Sequence, residues 1–209
     1  MINIIAIITM LIDHIGSVFF PDIIIFRIIG RLSYPLFAYQ ITKGYKLTKN
    51  FNYYAIRLIL LAIVSQIPFN LLFNDIYLNV CFTLFIGLIT LKIYDSNLNK
   101  IFKLFLIISS IILSQLLHFQ YGFYGVLTII IFHIFSGKEI VVYYQLFLTL
   151  ISIIILKYDS IQLFSVFSSI IILFINILQK NDFKLNKVFC YSFYPIHLFI
   201  LFLIKMGGV

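Results

Sequence analysis

Five ionisable residues stand out because they lie inside long apolar stretches: the adjacent pair Asp13 and His14, then Arg27 and Arg31 four positions apart, then His197. A charged group in hydrocarbon costs a few kcal/mol or more, so such residues are functional candidates by default. A histidine can take and return a proton near neutrality, and a carboxylate can fix its tautomer or neutralise a cation. A guanidinium can steady negative charge forming on a carbonyl oxygen. His14, Asp13, Arg31, Arg27 and His197 therefore form the candidate catalytic set, and the chemistry is proton transfer beside a carbonyl.

Neighbours on a helix point about 100° apart, so Asp13 and His14 are not expected to bond each other. Asp13 should meet Arg27 or Arg31 while His14 faces a cavity. The spacing of the two arginines places them on one helix face, with Gly30 allowing close approach beside them. The same residues also fit a structural reading, in which an Asp–Arg pair staples the first two helices and His14 is merely hydrogen-bonded. His118 reads as interfacial and His133 as a residue near a helix end. The Tyr121, Tyr124 and Tyr191, Tyr194 pairs read as packing or belt residues. No histidines have the i, i+4 spacing of a zinc site, so no metal is expected.

The elements that position these residues must be membrane helices. Of 209 residues, 63% are apolar and 11% charged, and the mean hydropathy is +1.12. A soluble domain has about half its residues apolar and about a quarter charged. Apolar runs fall at about 3–20, 23–42, 53–73, 78–94, 101–117, 122–136, 140–156, 160–179 and 188–206. Nine spans of about 20 residues would leave little for loops, so one integral-membrane domain over 1–209 is expected, with no fused soluble domain. The fold class is all-α: a polytopic bundle of about nine transmembrane helices. Pro35 and Pro68 should each kink or stop a helix. The first run, which starts almost at Met1, reads as a retained span. Cys81 and Cys190 suggest no disulfide framework.

Counting basic residues on alternate sides of the nine runs, in loops and at run ends, gives eleven on one side: Lys43, Lys46, Lys49, Arg57, Lys92, Lys100, Lys103, Lys138, Lys180, Lys184 and Lys187. Lys157 and Lys205 fall on the other, and Arg27 and Arg31 lie within the second run. The positive-inside rule then places the N-terminus inside the cell and the chain in the plasma or inner membrane. It also accounts for the formal net charge of +8 without nucleic acid. The basic loops have two readings: solvated segments touching anionic lipid, or, for Lys43, Lys46, Lys49 and Arg57, a cradle for the phosphates of a cytoplasmic donor such as coenzyme A.

Five segments in order, MLIDHIGSVFFP, FRIIGRLSYPLFAYQITKGY, RLILLAIVSQIPFN, LNVCFTLFIGL and FYPIHLFIL, resemble the TraX family, named for a conjugative pilin acetylase. The likeness covers about residues 5 to 90 and 188 to 203, with 95 to 185 matching mainly in hydropathy and in YGFYGV. It implies a multi-span acyltransferase that uses cytoplasmic acetyl-CoA and modifies an amine or hydroxyl on an extracytoplasmic acceptor, such as a pilin N-terminus or an envelope glycan. It also implies that His14 is the catalytic histidine, with Asp13, Arg27, Arg31 and His197 as its support. Gly30, Pro35, Gln66, Pro68, Asn79 and Thr83 match further motif positions. Two other classes stay open on the residues alone: a proton-coupled transporter or flippase-like carrier, and a non-enzymatic partner in pilus or envelope assembly.

Overall fold

In a computed structural model the chain is described over residues 1–135, 137–178 and 186–208. Every expected apolar run contains helix. The elements are α1 (Ile2–Phe19), α2 (Ile24–Gly30), α3 (Ser33–Leu47), α4 (Phe51–Phe73), α5 (Val80–Tyr94) and α6 (Lys100–Leu116), then α7 (Gly122–Phe135) and α8 (Ile140–Leu156). A 3-10 segment (Ser160–Val166) leads into α9 (Phe167–Leu178), and α10 (Lys187–Met206) follows. No strand occurs among the described residues. Lys180 and Lys184 lie outside them.

Short side chains set the boundaries. Asn50, Asn79, Asn99, Asp159 and Asn186 each accept a hydrogen bond from the backbone N–H two or three residues on, which starts α4, α5, α6, the 3-10 segment and α10.

The second run departs from expectation. It is two helices, broken by a turn at Arg31–Leu32. Pro35 neither kinks nor stops α3; it sits in the first turn, where its missing N–H costs nothing. The disturbance falls one turn earlier, because the proline ring crowds the carbonyl four residues back, that of Arg31. Pro68 lies inside α4, which continues to Phe73.

Hydrogen bonds between helix ends identify the two faces of the bundle. At one face Lys46 at the end of α3 donates to the His133 carbonyl at the end of α7 (3.1 Å), and Lys103 of α6 donates to the Tyr94 carbonyl ending α5 (3.0 Å). At the other, Leu78 and Phe119 form a bridge joining the loops before α5 and α7, and Lys205 of α10 donates to the Leu72 carbonyl of α4 (3.0 Å). α7 therefore runs from one face to the other.

The polarity is that of a membrane protein. Ile67, Ile101, Ile154, Ile155 and Ile177 are exposed on the outside, while Ser65, Thr83, Gln145, Ser152, Ser165 and Ser169 are fully buried. α1, α4, the 3-10–α9 rod and α10 are long and apolar enough to cross a bilayer. α1 packs on α2, α3 and α10, and α10 returns to α4, so the last helix closes against the first. The α1–α2 hairpin is tight because Gly16 leaves no side chain between them: a Cβ there would lie 2.1 Å from Phe26 Cβ. Gly16→Ala should therefore cost about 1–3 kcal/mol by parting the hairpin. Gly207→Ala, where the nearest atom would be 3.4 Å away, should be near neutral. Thermal unfolding of both variants in detergent checks this, and equal midpoints would refute it.

Candidate active site

His14 of α1 and His197 of α10 meet directly, Nδ1 to Nε2, at 2.8 Å with their rings within 8° of parallel. The other nitrogen of His197, Nδ1, lies 2.8 Å from the Phe193 carbonyl one turn back on α10. A carbonyl can only accept, so His197 Nδ1 carries a proton and donates it there. With both rings neutral, His197 Nε2 then has a lone pair, which accepts the N–H of His14 Nδ1. His14 Nε2 is left unprotonated. Two contacts thus fix the tautomer of His14 and present the nitrogen of a general base. Phe73 meets the His14 ring edge-on at 5.3 Å, and Phe193 stacks on His197 at 4.8 Å.

Asp13 points the other way, as the helix geometry requires. Its Oδ1 accepts from Arg27 Nη1 at 2.8 Å. Gly30 makes the room, since a Cβ at that position would lie 2.0 Å from Asp13 Oδ1. Arg31 does not share this carboxylate bond. It lies beyond the end of α2, and its Nη1 donates instead to Gln162 Oε1 in the 3-10 segment at 3.3 Å. The structure thus brings His14 and His197 together, pairs Asp13 with Arg27 and sends Arg31 to a separate partner.

A cavity of about 170 Å³ runs between α1, α3, α4, α5 and α10. Its walls are mostly apolar and include Ile7, Met10 and Leu58, with Phe193 and Tyr194 taking it to within a turn of the histidine pair. Cys81 and Cys190, both free thiols, also line it. Tyr191 belongs to the same wall, with the Arg57 guanidinium 5.9 Å from its ring centroid. Lys43 and Lys46 border a different pocket of about 210 Å³ with Tyr39, Thr42 and Leu47, while Lys49 is exposed in the loop before α4. The four basic residues read together from sequence therefore divide: Arg57 stands over Tyr191 in the wall of the first cavity, and Lys43 and Lys46 border another.

A family model described as TraX protein matches residues 1–205. The chain belongs to the TraX family. It is 30% identical over 101 residues to an uncharacterized protein, RP591, of Rickettsia prowazekii (strain Madrid E). That alignment takes in 46% of this chain and only 38% of the relative, so the chain spans well under half the length of the protein it resembles. No solved structure matches.

Several residues singled out in the sequence now have structural explanations. Asn79 caps α5 and donates through Nδ2 to the Ala62 carbonyl (2.8 Å) and to Gln66 Oε1 (2.9 Å), tying α5 to α4. Thr83 donates to the Gln120 carbonyl and so holds the loop before α7. His133 bonds Asp95 at 3.1 Å at a helix end, and the exposed His118 stacks edge-on with Tyr77. Tyr121 and Tyr124 pack around Tyr34, as packing residues would. Tyr194 has a closer relation to the site than a belt residue, with its ring 5.6 Å from His197. Gln162 escaped the sequence reading, because an uncharged polar residue in an apolar run gives only a weak signal.

The tautomer assignment is directly measurable. Solid-state NMR of 15N-histidine-labelled protein should show His14 protonated at Nδ1 and bare at Nε2, with His197 protonated at Nδ1. A proton on His14 Nε2 with Nδ1 bare would contradict it.

Proposed function

We propose that the protein is a membrane acyltransferase, most simply an acetyltransferase, in which His14 is the general base. The observation that carries this reading is the His14–His197 contact, in which the Phe193 carbonyl sets both tautomers and leaves His14 Nε2 ready to accept a proton. Family membership and the apolar cavity leading towards the pair support it.

In this reading the nine helical runs cross the cell membrane with the N-terminus inside, so the cavity begins on the cytoplasmic side. Acetyl-CoA is the acyl donor, and an amine or hydroxyl of an extracytoplasmic acceptor, a protein N-terminus or an envelope glycan, receives the acetyl group. The cavity fits a thioester arm in polarity, and Arg57 stands where a phosphate could be met. When bound, the donor supplies an activated carbonyl.

The residues of the chain do the rest. His14 Nε2 removes the proton of the attacking amine or hydroxyl as its nitrogen or oxygen bonds to the thioester carbon. Arg27, oriented by Asp13, supplies positive charge for the oxygen of the tetrahedral intermediate. When the carbon–sulfur bond breaks, His14 returns the same proton to the departing thiolate, so the products are an acetylated acceptor and a thiol. His197 is a positioning residue that holds the His14 tautomer throughout.

The test uses labelled acetyl-CoA with the detergent-solubilised protein and native envelope material as acceptor, so that donor and acceptor both have access. Wild type should place label on an acceptor, and a folded His14→Ala protein should be slower by about 10²–10⁴-fold. Equal labelling by both would remove His14 from catalysis.

A further inference from the structure

Arg31 and Gln162 lie where two irregular stretches of backbone meet: the turn between α2 and α3, and the 3-10 segment ahead of α9. Just beyond the 3-10 segment, Ser168 in the first turn of α9 donates to the Leu32 carbonyl of the turn at 3.2 Å. Non-helical backbone at depth in a membrane protein is tolerated where it is buried in protein or lines a polar site.

The hydrogen bonding here is incomplete. Arg31 Nη1 donates to Gln162 Oε1, which leaves the NH2 group as the unused end of the amide. That amide nitrogen has no partner, although Gln162 is only 2% exposed. Arg31 Nε is likewise buried and without a partner. Two residues in contact therefore each hold an unused donor, against the strong rule that buried donors are satisfied. The charge is also unbalanced: Asp13 lies within electrostatic reach of both arginines but its carboxylate bonds Arg27, so two guanidiniums stand against one carboxylate.

We propose that Arg31 and Gln162 form a binding subsite for a singly charged oxyanion, a carboxylate or a phosphate diester. One negative charge matches the one unbalanced cation, and two acceptor oxygens match the two unused donors. A doubly charged phosphate monoester would bring in a charge with no counterpart, which a low-dielectric interior penalises. The site is separate from the His14–His197 pair and does not rest on the acyl-transfer reading. The oxyanion has two sources, the carboxylate end of a small molecule or the phosphodiester of a lipid.

Thermal stability of the full-length protein in non-ionic detergent tests the proposal, titrated with butyrate, with dimethyl phosphate and with neutral butyramide. Wild type should be stabilised saturably by butyrate, dimethyl phosphate or both, but not by butyramide. Response to butyrate alone selects the carboxylate source, and response to dimethyl phosphate selects the phosphodiester. Gln162→Leu should weaken the response about tenfold or more. Gln162→Glu keeps the shape while placing a carboxylate beside Arg31. It should be at least as stable as wild type without additive and indifferent to both anions, which keeps the test meaningful if Gln162→Leu does not fold. A wild type that responds to neither anion, or responds equally to butyramide, overturns the proposal. So does a Gln162→Glu protein that responds as wild type does.

Discussion

Buried polar groups must find partners within the bundle, and α1 meets that demand in two directions at once. Asp13 and His14 are consecutive, so the helix turns them about 100° apart and each must be satisfied by a different neighbour. Asp13 reaches Arg27 on α2, and His14 reaches His197 on α10. Two adjacent residues thereby join the first helix to the second and to the last, across 183 positions of sequence. Exchanging either for an apolar residue would strand its partner in a medium that offers no substitute.

The same constraint produces reactivity. An unpaired histidine in a bundle could hold its proton on either nitrogen. Here the regular backbone of α10 decides, because the carbonyl four residues before His197 lies where Nδ1 can only donate. That choice passes through His197 to His14 and ends at an atom with a free lone pair. The apolar cavity leads towards the same pair, with Met10, Phe193 and Tyr194 in its walls and aromatic rings packed about both imidazoles.

Much of this was legible in the sequence, for identifiable reasons. Apolar runs report helices directly, and the divergence of Asp13 from His14 follows from helix geometry alone. The partner of Asp13 was narrowed to two arginines because few charges lie within the runs. Choosing between them required the break at Arg31, which is encoded one turn away at Pro35 and acts through the carbonyl four residues back. The bond between His14 and His197 depends on how α10 packs against α1, which no local pattern specifies. Lys43, Lys46, Lys49 and Arg57 looked like one cluster because they are close in sequence. A helix end and a loop intervene, so Arg57 stands by Tyr191 while Lys43 and Lys46 border another pocket.

The central claim is that His14 and His197 act as one unit, with His197 working only through His14. A double-mutant cycle on the rate of acyl transfer tests this directly, using His14→Ala, His197→Leu and the two combined. The relay predicts that the combined variant is no slower than His14→Ala alone, since nothing remains for His197 to orient. Two losses that multiply in the combined variant would show the histidines acting independently and would contradict the account.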